Sequence, residues 1–466
     1  MASPDSNGGV PAAESRARIQ RIVEQEDIEL IRFLWVDHNS VTRGKAVSRQ
    51  ALPGRMDSGI GLARSRQASS LLDLGQPVPG FDAVGEVRLV PDPDSFVRLP
   101  HAPGSAAMLC DLLTVDGDPW DACPRTFLKE ALAAAGEYQV VAAFEPEFTL
   151  CSTQPSPGVL DLFDDSLCFD NEGFDAADSY TVDLLRALRF QGLTVETYHP
   201  EFGAGQHEMT LRHAPALRAA DNYVWQRATT RGTARRKGLW ATFAPVPAPG
   251  MRGNGNHAHL SLWQPGQDGR PPVNLFADPS DELGLSTLAR HFIGGLLAHL
   301  PGLTALTNAS VNSYHRLRPG MWAGAFGAYG LDNREAAIRI PTRLRGDEAG
   351  STNVEVKICD STANPYLALG ALVHAGMDGV RRGLDPGEPL HADPNRLSAD
   401  ELRRLGVTAL PRTLEEAVDA LERDEFLMSV LGPARAALYP AIKRADVRDM
   451  KELGSDSEYF THAVRF

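Results

Sequence analysis

The sequence has few cysteines, and they are not arranged as a zinc site or a disulfide framework. Its 466 residues include five cysteines, an odd number, and none pairs with another in a Cys-x-x-Cys spacing. This usage is typical of reduced thiols. We therefore expect no cysteine to take part in the chemistry.

A surplus of basic residues and a long apolar run are also missing. The 46 Lys and Arg residues are outnumbered by 60 Asp and Glu, for a formal charge of -14, and no basic cluster suited to a phosphate backbone is present. The first thirty residues contain no signal-like stretch, and the most apolar window, residues 292–306, is interrupted by His299 and Pro301. We expect a cytoplasmic protein with neither a nucleic-acid nor a membrane partner.

The length and the apolar content of 43% predict a large folded core divided into two or three domains. Residues 1–14 are rich in small residues, Pro and Asp, which is typical of a flexible tail. Short strand-like pieces separated by Gly and Pro follow, and further along the chain strand-like and helical segments alternate. We expect an α+β protein with a β-rich N-terminal domain at 15–112 and a larger domain at 113–466.

Two acidic residues stand out in the segment VAAFEPEFTL, residues 141–150. The period of two along a strand directs Glu145 and Glu147 to the same face of an otherwise apolar strand. Burying two ionised carboxylates costs several kcal/mol each unless a cation compensates them. The pattern favours a metal site, and the alternative is an edge strand with one face in water.

Two further segments carry polar groups around glycines. HPEFGAGQHE, residues 199–208, is a Gly-containing turn between two acids and by itself is typical of a solvated loop. In GNGNHAHLSL, residues 253–262, the side chains of His257, His259 and Ser261 share one strand face. That face suits a metal or a phosphate, although a pair of histidines on a strand is more often structural.

The last two polar segments combine acidic and basic residues. In NVEVK, residues 353–357, Glu355 and Lys357 share a face, and in NREAAIRIP, residues 333–341, Arg339 lies among apolar neighbours. An arginine in such a setting needs a carboxylate or a phosphate partner. Taken together, these carboxylates, imidazole and arginines suit hard divalent cations, Mg²⁺ or Mn²⁺ rather than zinc, with a triphosphate.

In their order and spacing these segments resemble the successive blocks of the glutamine synthetase family. The blocks are FEPEF, EFGAGQHE, GNGNHAHLSL, RLRPG, NREAAIRIP and VEVKICDSTANPYLALGA, and they extend over nearly the whole chain. The resemblance implies an N-terminal β-grasp domain and a C-terminal catalytic domain on a curved antiparallel sheet. It also implies a homododecamer of two stacked hexameric rings, in which the N-terminal domain of a neighbour completes each active site.

The resemblance also implies two divalent ions, each bound by three side chains. These are Glu147, Glu201 and Glu208 for one ion, and Glu145, His257 and Glu355 for the other.

The substrates implied are ATP and glutamate, with three arginines in catalytic roles. ATP would phosphorylate the side-chain carboxylate of glutamate, and an amine nitrogen would then attack the γ-glutamyl phosphate. Two metals and several arginines suit this reaction because they offset charge on a phosphoryl group that moves between two anions. The implied contacts are His259, Ser261 and Arg339 for ATP and the transferring phosphoryl group, and Gly253, Arg316, Arg334 and Lys357 for glutamate and its phosphorylated form.

The sequence departs from the ammonia-using members of the family at two positions. Those members have an Asp where this chain has Ala63 and a flap Glu where it has Trp322. Ammonium is protonated near neutral pH, so a site without either carboxylate lacks a cation-binding charge and an evident base. This favours a γ-glutamyl-amide or γ-glutamylpolyamine ligase. Trp322 either presents an aromatic face to the amine or only packs, and Arg66 nearby disfavours a polycation.

Two alternatives remain open at this stage. One is a glutamine synthetase that uses ammonia with a rebuilt ammonium site, in which Glu335 replaces the missing carboxylate; a surface salt bridge with Arg334 explains Glu335 equally well. The other is a catalytically silent relative with a structural or regulatory role. Arg252 stands where ammonia-using members commonly have an Asn beside the glutamate amino group.

Overall fold

The computed structural model describes residues 12–266 and 270–466. Of the predicted tail, 1–14, residues 1–11 lie outside the described residues, and residues 12–14 belong to the first helix. The helices and strands are mixed throughout, which confirms the predicted α+β class.

The N-terminal region is built on a six-stranded sheet in which β2, β1, β6, β4 and β3 are neighbours in that order and β5 pairs with β6. Strands β1 and β6 are parallel and the other pairs are antiparallel. This mixed sheet agrees with the predicted β-grasp domain. The strands are β1 (Leu30–Val36), β2 (Thr42–Ser48), β3 (Ile60–Ala63), β4 (Glu86–Pro91), β5 (Val97–Arg98) and β6 (Ser105–Leu113), with helices α1 (Ala12–Gln25) and α2 (Leu52–Ser58).

The larger region is built on an eleven-stranded sheet, with neighbours in the order β17, β14, β15, β16, β12, β7, β9 and β8. Its pairs are antiparallel as predicted, except that β14 and β15 are parallel. The strands are β7 (Gln139–Cys151), β8 (Val195–Pro200), β9 (Gln206–Leu211), β10 (Ala214–Pro215), β11 (Trp240–Thr242), β12 (Asn256–Gln264), β13 (Val273–Asn274), β14 (Phe326–Leu331), β15 (Ala336–Ile340), β16 (Val354–Val356) and β17 (Thr408–Ala409).

Helices cover this sheet and form much of the core. Helices α6 and α8 pack closely because small residues face each other: a Cβ added to Gly295 would lie 2.6 Å from the backbone nitrogen of Gly379. The helices are α3 (Pro124–Ala134), α4 (Asn171–Phe190), α5 (Ala216–Arg236), α6 (Thr287–Thr307), α7 (Ser313–Arg316), α8 (Pro365–Arg382), α9 (Ala399–Arg404), α10 (Leu414–Arg423), α11 (Glu425–Leu453) and α12 (Ser455–Arg465). In the described ranges, none of these helices has the length and hydropathy needed to cross a membrane.

The segment 413–431 begins with the capping pattern of Thr413 and Glu416, which predicts one helix that ends at Gly432, but the structure divides it into two. Thr413 caps α10 by accepting a hydrogen bond from the Glu416 backbone N–H, as the capping pattern predicts. Asp424 then leaves the helical conformation and caps α11 by accepting from the Leu427 N–H at 2.9 Å. The prediction missed this break because an Asp within an amphipathic segment is a weak signal by itself.

A buried arginine joins the two regions. The guanidinium of Arg125 on α3 pairs with Asp92 at 2.7 Å and Asp111 at 3.0 Å, which belong to the N-terminal region, and with Asp221 on α5 at 2.8 Å. Burial by itself would lower the pKa of Arg125, but Asp221 and Asp111 raise it well above its usual value. The contact therefore fixes the smaller sheet against the helices of the larger region.

Candidate active site

Strand β7 supplies the two carboxylates that the sequence singled out. Glu145 and Glu147 both line a cavity of about 420 Å³, whereas Phe144 and Phe148, which flank them in the sequence, belong to the hydrophobic core. The predicted shared face of the two acids is thus confirmed. The alternative of an edge strand is excluded because β7 pairs with β12 on one side and with β9 on the other.

The cavity brings together most of the predicted site residues from distant parts of the chain. Twelve of the fifteen predicted site residues line the cavity, and seven residues that were not predicted as site residues line it as well. The twelve are Glu145, Glu147, Glu201, Glu208, Gly253, His257, Arg316, Trp322, Arg334, Arg339, Glu355 and Lys357, and the additional ones are Phe169, His199, Phe202, Gln206, Arg252, Gly320 and Met321.

One candidate metal group lies where three neighbouring strands meet. Ligand atoms of Glu145 on β7, His257 on β12 and Glu355 on β16 lie within 4.8 Å of one another. Cross-strand pairing explains their proximity, since His257 is the register partner of Glu145. His257 Nδ1 lies 3.2 Å from Glu355 Oε1 and 3.6 Å from Glu145 Oε2. These are the three residues that the family resemblance groups around one ion.

Glu355 also has basic neighbours. Arg339 Nη1 donates to Glu355 Oε2 at 2.7 Å, and Lys357 Nζ lies 3.3 Å from Oε1. Burial by itself would raise the pKa of Glu355, but Lys357 and His257 hold it well below its usual range. A divalent ion at this group would share Glu355 with these cations.

A second candidate metal group consists of His199, Glu201 and Glu208, whose ligand atoms also lie within 4.8 Å of one another. His199 Nε2 lies 3.0 Å from Glu201 Oε1 and 3.9 Å from Glu208 Oε1. Burial, together with the negative charges of Glu145 and Glu147, raises the pKa of Glu208 well above its usual value. The prediction of a solvated loop is wrong for Glu208, which lies on β9 and is buried.

This environment fits a hard cation. Glu208 is a buried carboxylate surrounded by like charges, and among the residues described its nearest basic atom is 3.9 Å away. Such an arrangement is costly unless a cation compensates it. A set dominated by carboxylate oxygens suits Mg²⁺ or Mn²⁺.

Glu147, the third predicted ligand of this group, makes other contacts in the cavity. Its Oε2 accepts from Gln206 Nε2 at 2.7 Å and from the Gly255 N–H at 3.0 Å. Its role as a ligand stays a prediction. His199 instead joins Glu201 and Glu208, and sequence reasoning missed it although the spacing of two from Glu201 was a usable signal.

Glycine at position 255 allows the close approach of these groups. A Cβ added there would lie 2.7 Å from Arg316 Nη2, 2.8 Å from His257 Nε2 and 3.0 Å from Glu147 Oε1. Any larger residue would therefore displace a candidate ligand or the neighbouring arginine.

The three predicted catalytic arginines differ in how far their charges are neutralised. Arg316 is buried and donates to the Ile358 and Lys357 carbonyl oxygens, with no carboxylate partner in the described part of the chain. Arg334 is exposed at the cavity and likewise has no acidic partner there. Arg339 is paired with Glu355 and with Asp332, although its Nε has no hydrogen-bond partner. Arg316 and Arg334 are thus available for an anionic substrate.

Three predicted site residues do not line the cavity. The His259 ring is held between Asn353 Oδ1, 2.8 Å from Nδ1, and Glu145 Oε1, 3.2 Å from Nε2. The Ser261 hydroxyl accepts from the Trp263 indole at 2.8 Å. Ala63 is exposed at the end of β3. Their assignments to the nucleotide and the amine stay predictions.

Glu335 is not in a surface salt bridge. Its side chain is buried, with 5% exposure, and makes no ion pair with Arg334. Its Oε1 accepts the backbone N–H of Trp322 at 3.0 Å, and its Oε2 has no hydrogen-bond partner. The salt-bridge interpretation is therefore wrong, and the carboxylate lies directly behind the cavity wall at Trp322.

Comparisons with known proteins cover the whole of this arrangement. A family model described as the glutamine synthetase N-terminal domain matches residues 15–120, and one described as the glutamine synthetase catalytic domain matches residues 121–461. The chain is 35% identical over 464 residues to gamma-glutamylpolyamine synthetase GlnA3 of Streptomyces coelicolor, covering 96% of both chains. It is 33% identical over 476 residues to the glutamine synthetase of Halobacterium salinarum, covering 100% of both.

Two solved structures are similar over most of the chain. One is described as a novel glutamine synthase homolog, with a TM-score of 0.82, 36% identity and coverage of 94% of this chain and 99% of the other. The second is described as apo GmaS without ligand, with a TM-score of 0.81, 32% identity and coverage of 94% and 98%.

Proposed function

The chain belongs to the glutamine synthetase family, and on that premise we propose that it joins glutamate to a primary amine larger than ammonia. The product is a γ-glutamyl amide, formed by way of γ-glutamyl phosphate. Enzymes of this family are ATP-dependent carbon–nitrogen ligases, and this chain is one of them. The nitrogen substrate is the part that we propose.

The observation that carries the proposal is the missing pair of carboxylates at the amine side. Position 63 is an alanine, and position 322 is a tryptophan whose side chain is 53% exposed and lines the cavity. A small cation such as ammonium needs a negative charge to bind and a base to lose its proton. An amine with a larger body can gain its binding energy from that body instead.

The chemistry of the remaining residues agrees with phosphoryl transfer to glutamate. Two Mg²⁺ or Mn²⁺ ions, held by the two candidate metal groups, would offset the charge of the phosphoryl group as it passes between two anions. Arg316 and Arg334 would bind the carboxylates of glutamate, since both line the cavity and neither has an acidic partner in the described ranges. Arg339 would donate to the phosphoryl oxygens.

Ala63 and Arg66 lie outside the cavity of their own chain. This supports the expected homododecamer, in which the N-terminal domain of a neighbour would bring these positions to the site. The Arg66 guanidinium is paired with Asp73 at 2.6 Å, which reduces the repulsion that it would exert on a cationic amine. The mass of the assembly in solution tests the oligomer directly, and a monomer would contradict it.

A second candidate is a glutamine synthetase that uses ammonia. It is favoured by the buried carboxylate of Glu335, which has one unpartnered oxygen, and by relatives of similar identity that are glutamine synthetases. In that case Glu335→Gln would raise the KM for ammonium strongly and leave the KM for glutamate unchanged.

ADP release in the presence of glutamate and a panel of nitrogen substrates separates these functions. The panel consists of ammonia, ethanolamine, putrescine and an aromatic amine, and the mass of each product identifies the amide. We expect at least one amine to exceed ammonia in kcat/KM. Ammonia as clearly the best substrate would refute the proposal, and no ADP release with any of them would favour a silent relative.

A further inference from the structure

Three large aromatic side chains line the cavity with much of their surface in solvent. Phe169 is 63% exposed, Phe202 50% and Trp322 53%. Exposed apolar groups gathered at one cavity commonly mark a ligand-binding surface, whereas isolated ones need no explanation. None of the three belongs to the candidate metal groups or is one of the three arginines.

Two of these aromatic residues have an unusual backbone conformation. Phe169 has a φ of 59° and Trp322 a φ of 56°. The other described residues with positive φ, glycine apart, are three aspartates and one serine, and bulky side chains adopt this region only rarely. Strain of this kind persists where the surroundings enforce it, and it concentrates at functional sites.

The surroundings do enforce it. The Phe169 N–H donates to the Pro200 carbonyl oxygen at 3.2 Å. The Trp322 N–H donates to the buried carboxylate of Glu335 at 3.0 Å. A buried acid therefore holds the tryptophan at the cavity, which is hard to explain if its ring only packed on the surface.

A continuous set of contacts connects the rings to the candidate metal ligands. The Phe169 ring meets the His199 ring edge-on, with centroids 5.1 Å apart, and His199 contacts Glu201 at 3.0 Å. Glu201 Oε2 accepts the Phe202 N–H at 2.8 Å, and the Phe202 ring meets Trp322 edge-on at 5.5 Å. The aromatic surface is thus adjacent to the groups where the acyl phosphate would form.

One of the three rings has a positively charged neighbour. The Arg252 guanidinium lies 5.3 Å from the Phe202 ring centroid and has no acidic partner among the residues that the structure describes. It already occupies the region that a cationic substrate tail would use for a cation–π contact. The rings, by contrast, remain free to accept another ring in an edge-to-face or offset arrangement.

From these observations we propose that Phe169, Phe202 and Trp322 form the specificity subsite for the amine and that the subsite takes a primary amine with an aromatic ring. The amine nitrogen points towards the candidate metal groups and the ring lies among the three aromatic side chains. Polyamines are disfavoured by Arg252. This inference rests on the proposed function and specifies its substrate class.

The test compares ammonia with four amines in the ADP-release assay with glutamate: phenethylamine, hexylamine, putrescine and methylamine. Phenethylamine and hexylamine have similar apolar bodies, so their ratio isolates the aromatic contribution. We expect kcat/KM to be highest for phenethylamine and lowest for putrescine or methylamine. Each of Phe169→Leu and Trp322→Leu should lower kcat/KM for phenethylamine by about threefold to tenfold through KM and should lower that for methylamine much less.

Phe190→Leu is the matched control, because Phe190 is exposed to 48% at the end of α4 and lies outside the cavity. It should leave every amine unchanged. Thermal unfolding of each variant excludes a folding defect, and Phe202→Leu provides an independent third variant.

The outcomes separate this inference from the proposed function. If some amine exceeds ammonia but phenethylamine gains nothing over hexylamine, or the leucine variants affect all amines equally, the aromatic subsite is refuted and the proposed function stands. A preference for putrescine refutes it in the same way. If ammonia is the best substrate, or no amine supports ADP release, both proposals fail.

Discussion

Replacing Glu208 by Gln should make the metal-free protein more stable and its metal binding weaker. Glu208 is buried, and its ligand oxygen lies within 4.8 Å of that of Glu201. At that separation two like charges repel by about 3 kcal/mol at an effective dielectric constant near 20. Part of this repulsion is already relieved, because burial and the neighbouring glutamates raise the pKa of Glu208 and so favour its neutral form. We therefore expect the variant to gain about 1–3 kcal/mol in the free energy of unfolding without metal.

The assay is urea unfolding of the wild type and of Glu208→Gln, each with a chelator and with Mg²⁺. For the wild type, Mg²⁺ at a hundred times its Kd adds about 2.7 kcal/mol, whereas the variant should gain much less. Glu137→Gln is the control, because Glu137 is exposed and lies outside the cavity. A metal-free variant that is less stable than the wild type, or one that keeps the full Mg²⁺ effect, would refute the reasoning.

Three further predictions concern packing, the domain contact and pH. Gly255→Ala should abolish amide formation while the protein stays folded, because a Cβ there meets Arg316 Nη2 at 2.7 Å; full activity with an unchanged KM for glutamate would contradict this. Arg125→Leu should destabilise the protein by about 3–5 kcal/mol in urea unfolding, because three aspartates lose their partner, and a loss below about 1 kcal/mol would contradict it. Burial by itself would lower the pKa of His299, but Asp424 and Asp378 raise it. The ion pairs of protonated His299 therefore stabilise the fold fully below about pH 6.5, and this stabilisation is lost as the pH rises through the raised pKa. The stability difference between the wild type and His299→Gln should therefore be larger at pH 6 than at pH 9, and an equal difference at both pH values would be inconsistent with it.

Strand β7 could be predicted from the sequence because its pattern is local, whereas β9, which carries Glu208, was expected to be part of a loop. A period of two fixes which side chains of β7 share a face, and the acids at 145 and 147 followed that rule. The convergence of β7, β12 and β16 could not be obtained from spacing, because cross-strand register depends on contacts between distant segments. It came from the family resemblance. The predicted boundary between the domains, between residues 112 and 113, stays a prediction. It falls at the end of β6, whose last residue is Leu113.

Features that oppose local preference could not be predicted. Nothing in the sequence indicates a positive φ at Phe169 or Trp322, because bulky residues rarely adopt it and only contacts with Pro200 and Glu335 sustain it. The salt bridge expected for Glu335 relies on its sequence neighbour Arg334. The side chain instead accepts a hydrogen bond from the backbone of Trp322, thirteen residues away in the chain.

The central claim is that ATP phosphorylates the glutamate side chain and that an amine then displaces the phosphate. The most direct test uses glutamate labelled with oxygen-18 in its side-chain carboxylate, together with ATP, Mg²⁺ and the preferred amine. The account predicts that the released phosphate carries an oxygen-18 atom taken from glutamate and that the γ-glutamyl amide accumulates in step with ADP. Unlabelled phosphate, or ADP released without the amide, would contradict it.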